Sequence, residues 1–223
     1  MSKIFPAATV VPVRDGEQGL EVLLLRRSQE VSFAKGLWVF PGGRIDKADY
    51  RDQPEDIETA ARHGAVRETL EEAHLSIDHA DLVYVSHWTT PPNNHRRYAT
   101  WFFIAEVRGD SDAVVVDGSE IVAHRWYRPR TALDDHDSKR IAMMPPTFVT
   151  LSELSACGSV SEALAMFRNR PVPEFEPRFT ATDKGIAMLY SGDAGYEQAD
   201  QDAQGPRHRC WMLDEAWCYE KTP

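Results

Sequence analysis

Three glutamates lie close together in the middle of the chain, at a spacing that can bind a metal ion. Glu68, Glu71 and Glu72 occupy positions i, i+3 and i+4, which share one face of an α-helix. Their like charges repel at a cost of roughly 0.2–0.5 kcal/mol per pair, and a divalent cation would remove that cost. Carboxylate oxygens are ligands that suit Mg²⁺ or Mn²⁺. From spacing alone, a solvated acidic helix face is the more common explanation.

Composition limits the class of protein in which this acidic face lies. The 223 residues, 42% of them hydrophobic, suffice for one folded domain or for a domain with an extension. A net charge of −10 argues against a groove for a nucleic acid polymer, although a divalent ion can still attract a small anionic substrate. No apolar run approaches the ~20 residues of a membrane helix, and the first residues lack the apolar stretch of a signal peptide. We therefore expect a cytoplasmic protein that binds no membrane.

The elements that must position the glutamates are a long helix and the strands around it. The helix is predicted to begin at about Pro54, with acidic residues near its positive end, and to end at about His74. A polar loop at residues 46–54 precedes it. Strands before and after one long helix indicate an α/β fold, with a mixed sheet covered by helices. Runs of β-branched and aromatic residues predict strands at 7–13, 21–25, 37–40, 82–88, 98–107 and 123–127.

The sequence changes character after Arg128, where short helical and strand-like runs alternate. We predict a first domain at residues 1–135 and a folded extension, helices followed by a β-hairpin, packed on it at residues 136–223. The hairpin could cap the site or form the edge of a homodimer. The extension is expected to contain helices at 147–154 and, after a capping signal at Ser159, as far as Phe167, with strands at 186–190 and 210–219.

The acidic residues stand in a longer motif that resembles the signature of the Nudix hydrolase family. That signature reads G-x5-E-x7-R-E-U-x-E-E-x-G-U, in which U is a bulky aliphatic residue. Its first glycine follows the run Phe40-Pro41-Gly42, which also matches the family. The residues that match the signature itself are Gly43, Arg67, Glu68, Glu71, Glu72 and Leu75.

The chain departs from the family signature at four places. Asp49 stands for the first glutamate, and residues 50–66 form a spacer ten residues longer than the pattern requires. Thr69 replaces an aliphatic residue, and His74 replaces the last glycine. Histidine adopts the left-handed backbone of a helix-ending glycine less readily. None of these departures removes one of the three glutamates.

The resemblance implies an α/β/α sandwich and a metal-dependent hydrolysis of diphosphates. It implies that the three glutamates hold one to three Mg²⁺ or Mn²⁺ ions, with the carbonyl of Gly43 as a further ligand. Arg67 would pair with one of the carboxylates and orient it. The ions would neutralise charge on the diphosphate and activate the attacking water. The base would be one of the glutamates or Glu120 in a later loop, for which an ordinary loop carboxylate is the alternative.

A second resemblance concerns the substrate. The segment from Leu24 to Gly43 is similar to the pattern L-L-T-x-R-S-x3-R-x3-G-x3-F-P-G-G of coenzyme A diphosphatases, with Arg26 in place of Thr and Ser32 in place of Arg. This implies a nucleoside diphosphate linked to another group, such as coenzyme A, its acyl esters or ADP-ribose. Arginine suits bidentate contact with phosphate, although surface ion pairing is the alternative for each arginine. The candidate substrate ligands are Arg27, Arg44, Arg96 and Arg97.

Two functions stay open at the level of sequence. The first is a Nudix-type hydrolase that cleaves the diphosphate of such a compound. The alternative is a catalytically weak module of the same fold that binds a nucleotide. Modules of that kind usually lose glutamates of the signature, whereas this chain has all three. Homodimers are common in the family, so the resemblance also implies a homodimer.

Overall fold

The computed structural model describes residues 3–31, 33–52, 55–92, 94–109 and 113–222. Within these residues, eight strands form a mixed sheet, four strands form a second sheet, and four α-helices pack around them. In chain order the elements are β1 (Ile4–Gly16), β2 (Gly19–Arg27), β3 (Trp38–Val39), β4 (Gly42–Arg44), α1 (Ile57–Ala73), β5 (Val83–Thr89), β6 (Arg97–Glu106), β7 (Ile121–Tyr127), α2 (Pro129–Asp137), α3 (Pro145–Leu154), α4 (Val160–Arg168), β8 (Glu174–Phe175), β9 (Arg178–Thr182), β10 (Gly185–Leu189), β11 (His208–Leu213) and β12 (Trp217–Lys221).

The 13-residue strand β1 organises the first sheet. It pairs in parallel with β6 and antiparallel with β2 and β4, in the order β3-β2-β1-β6-β5-β8, with β4 beside β1 and β7 beside β2. Its side chains alternate between the two faces of the sheet. Ala8 and Val10 pack on the side of α1, and Val11 and Val13 pack on the opposite side. Both faces of this strand are therefore covered.

Helix α1 lies close to β1 and β4 because its inner face consists of small residues. Ala60, Ala61 and Ala65 are fully buried, and Gly64 is buried between them. A face without large side chains lets the helix approach the sheet closely, so the following turns lie next to the backbone of β4. Residues 67–72 occupy those turns.

The opposite face of the sheet is covered by helices that follow β7. Phe148 of α3 and Phe167 of α4 belong to one continuous core cluster with Val11 and Leu24 of the sheet. The division that we predict after residue 135 falls inside α2 and stays a prediction. The helices of the extension therefore share the core of the first sheet.

The second sheet, in the order β12-β11-β10-β9, joins the first through β8. Strand β8 pairs in parallel with β5, and the ring of Phe175 stacks on Trp88 at a centroid distance of 4.0 Å and an interplanar angle of 2°. One residue later, Glu176 Oε1 accepts a hydrogen bond of 2.8 Å from Arg97 Nη2. These contacts hold the start of the second sheet against the ends of β5 and β6.

The predicted α/β fold with a mixed sheet and a β-containing extension is confirmed. The prediction was wrong in local detail: residues 47–50 of the expected loop form a 3₁₀ turn, and the run 210–219 turns back on itself as β11 and β12. The elements α2, β4, β8 and β9 had no prediction, because they are short and mainly polar or rich in proline. Pro54 and Ser32 lie outside the described residues. Among those described, no helix combines the length and apolar character needed to span a bilayer.

Candidate active site

The glutamate-bearing segment ends helix α1, which is capped at both ends. At the start, a carboxylate oxygen of Asp56 accepts a 3.0 Å hydrogen bond from the backbone N–H of Thr59. At the end, His74 has φ 54° and ψ 24°, the left-handed geometry, and its N–H donates to the carbonyl of Leu70 at 3.0 Å. Its ring atom Nδ1 lies 2.8 Å from the carbonyl oxygen of Val115. His74 thus adopts the backbone geometry that the signature assigns to glycine.

Arg67 is the centre of an ion-pair network at this end of the helix. Its Nε and Nη2 donate to the two carboxylate oxygens of Asp49 at 3.1 and 3.0 Å. Its Nη1 donates to Glu68 and Glu71, each at 3.0 Å, and Nη2 also donates to the carbonyl of Arg44 at 3.0 Å. The hydrogen bonds with Asp49 contribute most to raising the pKa of Arg67 above its usual value, so its charge is permanent.

Asp49 lies against α1 despite the long spacer that separates the two in sequence. The 3₁₀ turn Lys47–Tyr50 directs its side chain inward, where 5% of it is exposed, and the backbone N–H of Asp46 donates to it at 2.8 Å. Burial raises the pKa of Asp49, but the hydrogen bonds from Arg67 and Asp46 outweigh burial and hold the pKa below its usual value. A methyl group at Gly64 would lie 3.0 Å from an oxygen of Asp49, so a small residue at this position of α1 makes room for the carboxylate.

Glu72 is the most enclosed of the three glutamates. Its side chain is 8% exposed, compared with 17% for Glu68 and 57% for Glu71. Its Oε2 accepts a 2.9 Å hydrogen bond from the backbone N–H of Gly42. Burial raises the pKa of Glu72 to about 8, and the same cause raises the pKa of Glu68. Two carboxylates that are costly to charge lie side by side, so a bound cation would stabilise both charged forms.

Gly43 lies directly against the carboxylate of Glu68. A Cβ at this position would lie 2.3 Å from Glu68 Oε1 and 2.5 Å from its Cδ, closer than any nonbonded contact allows. The absence of a side chain therefore lets the carboxylate rest on the backbone of β4. The motif residues Gly43 and Glu68, 25 positions apart in the sequence, are direct neighbours in the fold.

Arg27 connects the glutamates of α1 to the loop that contains Glu120. Its Nη1 lies 3.5 Å from Glu72 Oε1, and its Nη2 lies 3.3 Å from Glu120 Oε2. Asp117 shapes the loop by accepting hydrogen bonds from the backbone N–H groups of Ser119, Glu120 and Ile121. The side chain of Glu120 is 63% exposed.

The three glutamates, Arg67, Arg27, Glu120 and the Gly42–Gly43 backbone line one cleft of about 670 Å³. Its charged part is formed by β2, β4, α1 and the loop before β7, whereas residues of β5, β6 and the extension form an uncharged part. Arg44 borders the cleft with its guanidinium stacked 4.5 Å from the ring centroid of Phe5. The charged lining residues are Arg27, Arg44, Asp46, Arg67, Glu68, Glu71, Glu72 and Glu120.

The structure does not bring the other two candidate arginines into the cleft. Arg96 is exposed and lies outside the lining of the cleft. Arg97 is buried, with Nε donating to the carbonyl of Thr90 at 2.8 Å and Nη2 donating to Glu176. Arg97 therefore connects β6 to the extension instead of facing a substrate.

Comparison with known proteins identifies the family. The NUDIX domain family model matches residues 3–145, which is well over half of the chain. The chain belongs to the Nudix family. The Nudix match includes Gly43, Asp49 and the whole of α1, and it continues to the first residue of α3.

Relatives of this Nudix chain include proteins named as acyl-coenzyme A diphosphatases. It is 26% identical to acyl-coenzyme A diphosphatase NUDT19 of Xenopus laevis, over 84% of this chain and 74% of that protein. It is 30% identical to the Homo sapiens protein of the same name, over 50% of this chain and 31% of that protein. The crystal structure of a Nudix hydrolase from Alicyclobacillus acidocaldarius superposes with a TM-score of 0.66 and 25% identity, covering 77% of this chain and 100% of that one.

The donor set of the Nudix site suits a divalent metal ion, although the carboxylates are engaged elsewhere in this arrangement. Among the described residues, no three acidic, histidine or cysteine side chains are gathered into a ready-made metal shell. Arg67 holds Glu68 and Glu71, and the backbone of Gly42 holds Glu72. Burial raises the pKa of Glu68 and of Glu72, so a cation beside them would offset the cost of their charged forms. Carboxylate and carbonyl oxygens are the ligands that Mg²⁺ and Mn²⁺ take, so the donor set fits such an ion, which would have to compete with the hydrogen bonds from Arg67 and Gly42.

Two features of the Nudix site were not settled by the sequence. The signature puts Asp49 in the place of its first glutamate, but the long spacer left the role of Asp49 open, and the structure pairs it with Arg67. The lining residues Pro177 and Phe179 had no signal, because they lie more than 100 positions from the glutamates and belong to no motif, whereas Met188 lies in the predicted strand 186–190 that could cap the site. The folding of the chain through β8, β9 and β10 places them at the cleft.

Proposed function

We propose that this chain is a Mg²⁺- or Mn²⁺-dependent pyrophosphatase that cleaves a nucleoside diphosphate linked to another group. The observation that carries the proposal is the pair of enclosed carboxylates, Glu68 and Glu72, held beside the Gly42–Gly43 backbone at the charged part of a 670 Å³ cleft. The charged forms of these two neighbouring, enclosed carboxylates are costly, and a bound cation would offset that cost. The membership in the Nudix family supports the same reaction.

Glu68, Glu71 and Glu72, with the carbonyl of Gly43, would hold the metal. When bound, the ion supplies charge neutralisation for the diphosphate and lowers the pKa of the attacking water. The exposed Glu71 can turn towards an ion, because its contact in the structure is one hydrogen bond from Arg67.

Arg67 is a positioning residue in this proposal. Asp49 holds one edge of its guanidinium with two hydrogen bonds, which leaves Nη1 directed at Glu68 and Glu71. A planar guanidinium fixed in this way keeps both carboxylates oriented. The function of Asp49 is therefore to set the angle of Arg67.

Glu120 is the proposed base, and Arg27 is its partner and a substrate ligand. The carboxylate of Glu120 is exposed at the mouth of the cleft and can take a proton from a water near Glu72. Arg27 contacts both glutamates, and a diphosphate that enters the cleft would compete for its guanidinium. That exchange would release Glu120 as substrate binds.

Coenzyme A and its acyl esters are the proposed substrates, with ADP-ribose as the next choice. Support comes from the names of the frog and human relatives and from the similarity of residues 24–43 to the coenzyme A diphosphatase pattern. Arg27 and Arg44 are the arginines available for its phosphates, since Arg96 and Arg97 lie outside the cleft. The homodimer and the cytoplasmic location stay predictions.

The test is a substrate screen with a matched pair of variants. Purified protein is incubated with coenzyme A, an acyl-coenzyme A, ADP-ribose or NADH and with Mg²⁺ or Mn²⁺, and the products are identified by mass. We expect cleavage at the diphosphate. We expect kcat/KM of Glu72→Gln to be at least about 100-fold below that of the wild type, because loss of a metal ligand should cost more than the roughly 10–100-fold typical of changing a residue that orients a ligand. Glu58→Gln is the control, since Glu58 is on the same helix but pairs with Arg62 outside the cleft.

The outcomes separate the two functions. Equal activity of Glu72→Gln and the wild type would contradict the metal site. Tight binding of a nucleotide without cleavage of any compound would favour the alternative, a binding module of the Nudix fold.

A further inference from the structure

The extension after β7 adds an apolar wall, made of Pro177, Phe179 and Met188, to the uncharged part of the cleft, and this wall lies beyond the family match. Phe179 of β9, Met188 of β10 and Pro177 before β9 line the cleft together with Trp88 and Tyr98 of the first sheet. The family match ends at residue 145, before any of the three extension residues. The second sheet therefore completes a cleft whose charged part belongs to the first sheet.

Two side chains of this wall, those of Phe179 and Met188, lie on the same face of the second sheet. Phe179 and Met188 are paired across β9 and β10, so both project to the same side. Met188 is 8% exposed and packs into the core, whereas Phe179 is 41% exposed on the edge strand of the sheet. An aromatic ring that is left open to the cleft, next to a buried methionine, offers an apolar surface to a ligand.

The wall is held in place by contacts that fix the start of β9. Phe175 stacks on Trp88, which itself lines the cleft. Arg97 pairs with Glu176 at 2.8 Å, and Tyr196 donates a 2.9 Å hydrogen bond to the carbonyl of Glu176. Pro177 and Phe179 follow directly. The position of the apolar wall relative to the glutamates is thus set before any ligand binds.

The charges of the cleft determine which part of a substrate this wall accepts. Among the described lining residues, those of β5, β6 and the extension carry no charge, so no cation there can pair with a phosphate. A phosphate placed on this side would lose water without gaining a partner, which is costly. The group that fits is uncharged and apolar, and it must be joined to a diphosphate that reaches the glutamates.

We propose that Phe179, supported by Met188 and Pro177, is a specificity residue that selects diphosphates bearing an uncharged apolar group, such as an acyl chain. The inference rests on the proposed function for the reaction itself, and it adds the part of the chain that recognises the substrate. It assigns to the extension a role in substrate choice in addition to its role in the core.

The experiment compares coenzyme A with its dodecanoyl thioester in the wild type and in Phe179→Ala. We expect the ratio of kcat/KM for the dodecanoyl ester to kcat/KM for coenzyme A to fall by about tenfold in Phe179→Ala, the effect of losing part of the burial of one aromatic side chain. Ile186→Ala is the matched control, because Ile186 is 42% exposed on the neighbouring strand but does not line the cleft. Its ratio should equal that of the wild type.

A binding measurement keeps this inference separate from the proposed reaction. Titration of the dodecanoyl ester into each protein in EDTA, followed by calorimetry, reports affinity without turnover. We expect about tenfold weaker binding to Phe179→Ala than to the wild type or Ile186→Ala. Equal affinities and an unchanged kcat/KM ratio would overturn the role of Phe179, even if the wild type cleaves both compounds. Failure of the wild type to cleave either compound would overturn the proposed reaction alone.

Discussion

The two oxygens of Asp49 accept hydrogen bonds from Nε and Nη2 of Arg67 at 3.1 and 3.0 Å, across a spacer of 17 residues. This relationship shows how the lengthened loop is tolerated. The 3₁₀ turn at residues 47–50 directs the carboxylate of Asp49 towards α1, and the small residue Gly64 leaves room for it there. The ten extra residues therefore lie between Asp49 and Arg67, whose side chains remain paired.

Asp49→Asn should lower kcat/KM for the cleaved diphosphate by roughly 10–100-fold, the usual effect of changing a residue that orients a metal ligand. The amide keeps the shape of the carboxylate but replaces one of its two acceptor oxygens with an NH2 donor, so Arg67 loses one of the two hydrogen bonds that fix its angle. The measurement is steady-state kinetics at saturating Mg²⁺. Asp52→Asn, an exposed change in the same loop, should retain wild-type kinetics. Wild-type kinetics in Asp49→Asn would show that Arg67 needs no support.

Gly43→Ala should lower activity by at least about tenfold, because a methyl group would displace the carboxylate of Glu68 from the floor of the site. The clash is with the end of a flexible side chain, so we expect the thermal midpoint to change little. Gly158→Ala is the control, since its added methyl group would lie 3.4 Å from its nearest neighbour and its φ is ordinary. Full activity in Gly43→Ala would mean that Glu68 works from another position.

Mg²⁺ should raise the thermal midpoint of the wild type and leave that of Glu72→Gln almost unchanged. A ligand that binds only the folded state at 100 times its Kd stabilises by about 2.7 kcal/mol. The measurement is calorimetry in EDTA and at increasing Mg²⁺, with Glu58→Gln as the variant that should respond like the wild type. Equal shifts in Glu72→Gln and the wild type would place the cation elsewhere.

Asp193→Asn should destabilise the protein by roughly 3–5 kcal/mol, the effect of leaving one partner of a buried ion pair uncompensated. Asp193 and Arg209 are fully buried in the second sheet and joined by hydrogen bonds of 2.7 and 2.6 Å. Chemical unfolding measures the difference, with the exposed Asp183→Asn as control. A loss below 1 kcal/mol would show that the pair contributes little to the fold.

The contribution of this pair should depend on pH in a defined direction. Burial raises the pKa of Asp193, but the hydrogen bonds from Arg209, His208 and Gly195 outweigh it and hold the pKa below its usual value. The stabilisation is therefore complete above the ordinary aspartate pKa of about 3.9 and is lost as the pH falls through the lower folded value. The difference in unfolding free energy between wild type and Asp193→Asn should be constant from pH 5 to 7, on the order of the value above, and shrink below about pH 4. A difference that grows on acidification would contradict this assignment.

The sequence was sufficient for the parts of the site that are local. Glu68, Glu71 and Glu72 lie on one helix face because their spacing matches the helical repeat, whereas Gly43, expected just after a strand, lies within the short strand β4. The resemblance to the family signature implied a left-handed geometry at His74, where the signature has glycine, and the structure has that geometry. The long strands were predictable from their runs of β-branched and aromatic residues, and α1 from the acidic residues at its start and the spacing of its glutamates.

The tertiary structure decided what depends on contacts between distant segments. The sequence offered four arginines for the substrate, but packing places Arg27 and Arg44 at the cleft and uses Arg97 to hold Glu176. It also brings Phe179, more than 100 residues from the glutamates, to the lining of their cleft. Side-chain type and spacing determined the chemistry of the helical turn, because a helix repeats every 3.6 residues. Which surfaces face that turn was decided by how two sheets pack, which no local pattern encodes.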